Sequence, residues 1–235
     1  DQSMRYGVDL RSPYVMMVVE CGVTGTMKLS HLYRTVNQLI VTDGWEAVVG
    51  QFAGQIIVLA QDNEHLKALA ARVQERVALT KICGDIQPRV GVSGLQRATG
   101  NVKCGYEQCM DVLNITRKLD PNRRVVYFTE LGYLHTLYHA GRESLDGNPY
   151  VPLLRRLLEE TQADLFRTLE AYLDAGGNGV GTAEALHIHR STLNYRLQRI
   201  FQICNVNLQD PITRMNLQVA LKLMRLFEVD DEMLD

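Results

Sequence analysis

The sequence is short of several things, and each shortage excludes a class. Net charge is −2, so there is no overall basic field. Any nucleic acid would have to be held by a local, directed surface. The five cysteines, at 21, 83, 104, 109 and 204, include no Cys-x-x-Cys spacing. An odd number without a framework speaks against a disulfide scaffold and for reduced thiols in a cytoplasmic protein. No apolar run reaches the ~18 residues that a membrane-spanning helix needs. The opening Asp1-Gln2-Ser3-Met4-Arg5 is not a signal peptide. A start on Asp1 leads to the expectation of a further region upstream. The single tryptophan, Trp45, precedes a strand-like run and reads as core or sheet edge.

What is present is an ordinary globular composition, 46% hydrophobic and 22% charged, in 235 residues, enough for one large or two small domains. Tyr14 to Glu20 is a short Val-rich apolar run and predicts a buried strand. Leu32, Val36, Leu39 and Ile40 make a helical stripe with Ser30 as its cap. Glu46 to Phe52 and Gln55 to Ala60 are strand-like runs around Ala53-Gly54, a hairpin signal. Leu66, Leu69, Ala70, Val73 and Val77 predict a second helix. Arg89 to Ser93 predicts a strand in which Gly91 permits close backbone approach. Tyr106 to Leu119 predicts a third helix, Asp120-Pro121-Asn122 a break, and Val125 to Phe128 a last strand. This order predicts an α+β sandwich over residues 1–140, with helices on one face of a largely antiparallel sheet.

Gly, Ser, Asn and Pro concentrate in residues 141–152, which read as a linker. Residues 153–235 then change to an all-helical pattern. Leu153 to Leu158 and Leu165 to Leu173 are helical, the latter ending at Gly176-Gly177. Asp210-Pro211 is an N-cap and N1 pair that opens a last helix, apolar nearly all round, to Phe227. Core packing accounts for that helix, with a subunit face as the alternative. The acidic tail from Glu228 reads as frayed.

Thr182 to Leu197 read as two helices joined by a tight turn. Leu193, Leu197 and Ile200 form the inner stripe of the second helix. Its outer face carries Arg190, Ser191, Asn194, Tyr195 and Gln198, with no acid among them. That pattern suits a helix-turn-helix whose second helix enters the major groove. At the turn, His187 stands where Gly is usual, and His tolerates positive φ better than most residues. Ile188 fits the buried position, and His189 stands where Ser or Asn would cap. A His187–His189 metal pair is the other reading, but no Cys or acidic third ligand lies nearby.

Several phrases resemble the C-terminal helix-turn-helix of the PucR/CdaR family of bacterial transcription regulators. They are Thr168-Leu169-Glu170-Ala171-Tyr172-Leu173, Gly176-Gly177-Asn178, Thr182-Ala183-Glu184-Ala185-Leu186 and Ile188 to Leu197. The residues Leu217-Gln218-Val219-Ala220-Leu221 complete the resemblance, which covers about 165–227. The family usually caps the first motif helix with Ser or Thr. Here Gly179-Val180-Gly181 fills that loop, so the helix is expected to start late or be loosely held. The upstream residues are similar to the GGDEF-like domain that precedes the motif in this family, a nucleotide-cyclase-type sheet. A cyclase needs carboxylates at the end of the first strand and on the hairpin to hold metal. Glu20-Cys21-Gly22-Val23 offers one acid, and Phe52-Ala53-Gly54-Gln55-Ile56 offers none. The resemblance therefore implies a catalytically empty transmitter or dimerisation module.

The expectation is a cytoplasmic, non-enzymatic regulator of a bacterial catabolic operon that binds double-stranded DNA as a homodimer on half-sites about one helical turn apart. Arg190, Ser191, Asn194 and Tyr195 would meet base edges, Arg190 suiting guanine and Asn194 adenine. Thr192 and Arg196 would serve phosphate or helix packing, Arg199 phosphate, and His189 the cap and backbone. No catalytic residue, cofactor or metal is expected. Effector sensing would lie upstream, as the resemblance implies. The rivals are a nucleotide-binding sensor or divergent cyclase acting through residues 14–138, and an interaction module whose helix-turn-helix packs on protein. Gly91-Val92-Ser93-Gly94 is near a nucleophile elbow, but its last Gly is displaced and no acid–His pair is placed for it. Cys104 and Cys109 read as helix or loop residues rather than ligands.

Overall fold

The computed structural model describes residues 8–22, 25–84, 86–97, 99–160 and 164–229. It divides into two compact units, Asp1–His135 and Thr136–Asp235. The acidic residues 230–235 lie outside the described ones.

The first unit runs β1 (Tyr14–Glu20), α1 (Thr26–Asp43), β2 (Ala47–Phe52), β3 (Gln55–Gln61), α2 (Leu66–Leu79), β4 (Arg89–Val92), α3 (Val102–Leu119) and β5 (Val125–Tyr127). The sheet order is β2-β3-β1-β4-β5. Every pairing is antiparallel except β4 with β5. Helices cover both faces, not one. Val15, Met17 and Val19 share a core with Leu32, Val36 and Leu39 of α1 and Leu69 and Val73 of α2. On the opposite face the Cys109 thiol of α3 donates to the Met16 carbonyl at 3.3 Å. The sign is in the sequence: β1 is apolar without alternation, the pattern of a strand buried on both sides. Gly91 provides the close approach expected of it. A Cβ there would stand 2.7 Å from the Cys109 carbonyl oxygen and from Leu113 Cγ.

Two local readings change. The α1 helix opens at Thr26 behind Gly25, so Ser30 lies inside it and caps nothing. The α3 helix opens at Val102, a full turn before Tyr106. The hairpin turns on two residues, Ala53 at φ 48° and Gly54 at φ 78°. Positive φ at both positions is what a type I′ turn requires. Trp45 packs partly buried against the sheet core.

In the second unit α5 (Val151–Glu160), α6 (Asp164–Asp174), α7 (Gly179–Ala185), α8 (Arg190–Cys204) and α9 (Pro211–Phe227) follow α4 (Tyr133–Ala140), which spans the division. Leu154, Leu157, Phe166, Leu169, Ile200, Leu217, Leu221 and Met224 form its core. The 141–152 stretch, read as a linker, is folded into this unit, with Leu145 and Val151 buried in the same core. The apolar girth of α9 is mostly spent on this core; only Ile212 and Met215 stand well exposed on it. Lys222 of α9 reaches Glu170 at 3.3 Å and Asp174 at 2.9 Å, tying α9 to α6. Glu228 is held by Arg155 at 2.9 Å rather than frayed.

Candidate nucleic-acid interface

The α7 helix starts early and is capped, contrary to expectation. Asn178 precedes it in extended conformation, and its side-chain oxygen accepts from the Val180 and Gly181 amides at 3.0 and 3.3 Å. Gly176 and Gly177, both at positive φ, turn the chain out of α6 and deliver Asn178 to this place. A glycine pair followed by Asn was the signal available in the sequence. Thr182, fully buried, donates its hydroxyl back to the Asn178 carbonyl at 2.7 Å. Asn178 alone therefore supplies the cap that Gly179-Val180-Gly181 was expected to lack, and the Thr182 hydroxyl bonds back to the Asn178 carbonyl from within the helix.

The turn closes by a Schellman motif. His187 adopts φ 53°, its amide bonds to the Glu184 carbonyl at 3.1 Å, and the Ile188 amide bonds to the Ala183 carbonyl at 3.0 Å. The positive φ expected at His187 is what the backbone adopts. His189 then caps α8. Its backbone is extended, and Nδ1 accepts from the Ser191 amide at 3.3 Å and lies 2.7 Å from the Ser191 hydroxyl. A ring nitrogen that accepts an amide proton carries none of its own, so this cap belongs to the neutral imidazole. His187 and His189 are thus both employed by the turn, one through its backbone and one through its ring.

Along α8 the inner stripe is Leu193 and Ile200, both fully buried, with Leu197 packed at the edge of the core. Arg190, Ser191, Thr192, Asn194, Tyr195, Gln198 and Arg199 are exposed. Tyr195 stands 64% exposed, unusual for a tyrosine, and so reads as a surface contact residue rather than a core one. Arg196 is different. Its guanidinium pairs with Asp164 at 2.9 Å and donates to the Thr168 hydroxyl at 3.2 Å, so it holds α8 to α6. Of the two roles its position allowed, the structure shows helix packing. Arg199 donates to Gln202 one turn on, at 2.9 Å, and stays at the surface. No spacing in the sequence links Asp164 to Arg196, 32 residues away.

The cyclase-like position of the first unit offers little chemistry. Glu20 of β1 is ion-paired with Arg117 of α3. The hollow beside it is lined by Val19, Glu20, Cys21, Gly22, Leu29, Leu32, Gly54, Gln55 and Ile56. One carboxylate, already neutralised, does not fit a divalent metal with nucleotide phosphates. Ser93 is no nucleophile either: buried, it donates to the Gly94 carbonyl at 2.7 Å and accepts from the Met16 amide at 3.0 Å. Burial pushes the Cys109 thiol well above the usual range, which makes it inert.

Residues 165–223 match the PucR C-terminal helix-turn-helix domain family, and residues 1–115 match the GGDEF-like domain family. The chain is 26% identical over 236 aligned residues to the carbohydrate diacid regulator of Escherichia coli, covering 94% of this chain and 60% of that protein. It is 23% identical to the DNA-binding transcriptional activator AdeR of Bacillus subtilis, covering 93% of this chain and 53% of AdeR. A shorter match to the purine catabolism regulatory protein of Bacillus subtilis is 38% identical over 79 residues, 33% of this chain and 15% of that protein. The chain spans about half the length of the longer-matching curated relatives.

Proposed function

The chain belongs to the PucR family of transcriptional regulators, and from that premise we propose that α8 is a recognition helix reading the major groove of duplex DNA. The observation that carries this reading is the outer face of α8, exposed and polar from Arg190 to Arg199 without one acid, on a helix capped at its start and pinned by Arg196. Arg190, Ser191, Asn194 and Tyr195 reach base edges; His189, Thr192 and Arg199 meet the backbone. Arg196 acts by positioning α8. The protein works in the cytoplasm on a catabolic operon, as the names of its relatives suggest, and as a homodimer on paired half-sites. Among the described residues no helix is long and apolar enough to cross a membrane. The first unit does no cyclase chemistry, and the effector acts on a region upstream.

Selection from a pool of random duplexes, with anisotropy at two salt concentrations, tests the reading. An enriched palindrome with affinity falling steeply in salt supports it. Absence of binding at both salts by a folded chain overturns it. Calorimetry with a guanine nucleotide and magnesium tests the rival; binding heat that disappears in Glu20→Gln would restore a nucleotide role to the first unit.

A further inference from the structure

The sheet of the first unit ends at β2, and this edge lacks the usual protection. Natural edges carry charges, proline or a bulge that prevent further pairing. Ala47-Val48-Val49-Gly50-Gln51-Phe52 has none of these. The hairpin fixes which backbone groups are spare. A two-residue turn makes Phe52 and Gln55 a hydrogen-bonded pair, and the register carries that parity to Gly50–Ile57 and Val48–Leu59. The amides and carbonyls of Val49 and Gln51 therefore point away from β3, and among the described residues no strand pairs with them.

The side-chain faces agree with this edge being open. Ala47 and Val49 are buried in the core with α1 and α2. Val48, Gly50 and Phe52 face the other way, where a groove of about 640 Å³ runs between the hairpin and the start of α3. Met16, Ile57 and Gly50 line it, with Phe52 edge-on to Tyr106 at 5.1 Å as a wall. Phe52 is 60% exposed, and nothing stands within 4 Å of where a Gly50 Cβ would be. The charges at the rim, Lys103 and Glu107, are opposite and 3.6 Å apart, so like charge does not repel a second copy.

We propose that β2 is a self-association edge, pairing antiparallel with β2 of a second copy across a two-fold axis at Gly50. Parity limits the registers. The outward-bonding residues must meet each other, so Val49 exchanges hydrogen bonds with the partner's Gln51, and Gly50 faces the partner's Gly50 in the closely spaced pair. This register sets Phe52 opposite the partner's Val48 and diagonal to the partner's Gly50. There its ring covers the missing side chain and closes the open side of the groove. Shifting by one pair would instead set Phe52 against the partner's Glu46 or, in the other direction, against the partner's Gly50 with Gln51 facing its own copy. The proposal deepens the dimer in the function proposed above by naming its surface, but it does not rest on DNA binding.

Sedimentation of the full chain without DNA is the test. Gln51→Pro removes an outward amide that the internal ladder does not use, and Val48→Lys sets a charge beside the axis. Both should keep the circular dichroism of the parent and weaken dimerisation at least tenfold. In a Cys104→Ser background, Gly50→Cys should cross-link to itself under mild oxidation while Gln51→Cys does not, because only position 50 faces its own copy. This second readout stands even where a substitution disturbs the fold. A parent chain that stays monomeric at its highest soluble concentration overturns the proposal. So does a dimer that both folded variants leave intact, and so does cross-linking through position 51 rather than 50. In each such case the DNA reading is still judged separately, by binding to a single half-site.

Discussion

The two units use particular charged side chains in different ways. In the sheet unit Arg89 and Glu20, both at the sheet, are taken up by the fold. Arg89, buried, donates to the carbonyls of Arg123 and Leu113 and to the Thr116 hydroxyl at 3.1, 3.2 and 2.7 Å. Glu20 is neutralised by Arg117, and the hairpin tip is uncharged. In the helical unit one helix divides the labour: Arg196 is tied to Asp164, while Arg190 and Arg199 stay at the surface. The lesson concerns what a frame needs. The sheet rests on Val15, Met17, Val19 and the helices over them, and none of those contacts requires a carboxylate. A cyclase-type frame can therefore persist without its acids. Under the proposed DNA reading α8 has no such freedom, because its outer face would carry the function.

The contrast is tested most severely at Arg89. Arg89→Ala leaves two carbonyls and a hydroxyl without their donor in a buried place, which should destabilise the chain by about 3 kcal/mol. Denaturant titration measures it. A change below the error of that titration would mean that water replaces the guanidinium, and that this cation is not structural. DNA affinity of the protein that remains folded should not move.

Next in size is the pair Arg190 and Arg196 on one helix. Arg190→Ala should weaken specific DNA binding by about 1–3 kcal/mol and relax one base preference, with stability unchanged. Arg196→Ala should instead lower stability by about 1 kcal/mol, through loss of a partly exposed pair and one hydrogen bond. If Arg196→Ala changes only the salt dependence of binding, its role lies at a phosphate and the division of labour is wrong. Asn178→Ala should follow at ~1 kcal/mol, the usual value of a helix cap. It would appear in thermal melts and as a secondary loss of DNA affinity, since α7 packs against α8.

Much of this was legible in the sequence, for identifiable reasons. Short apolar runs bounded by turn residues placed every strand of the sheet, and period-3.6 patterns placed the motif helices, because each element has one or two buried faces. The positive φ at His187 and the cap at His189 followed from a turn whose geometry admits few residue types. The second layer of helix on the sheet is written in the unbroken apolar run of β1, whereas the order of elements alone does not distinguish one covered face from two. What stayed hidden depends on distant partners. Asp164 lies 32 residues from Arg196, and Arg117 lies 97 from Glu20. No local pattern joins such pairs. The 141–152 stretch misled because Gly, Asn and Pro report turns, not exposure, and Leu145 in its middle is core.

The smallest effect is expected at the hairpin tip, and it bears on the edge of the sheet. Ala53 sits at φ 48°, where a Cβ is crowded by the backbone and where Asn is far better tolerated. Asn-Gly is the favoured pair for a type I′ turn. Ala53→Asn should therefore stabilise the first unit by ~0.5–1 kcal/mol, seen as a higher melting temperature. The gain reports the turn type. If Ala53→Asn destabilises the chain, the tip is not a type I′ turn. The parity of β2 rests on the two-residue length of the loop and the Phe52–Gln55 pairing rather than on the turn type, so Val49 and Gln51 would still face outward and the pairing of β2 with a second copy would stand or fall by its own test.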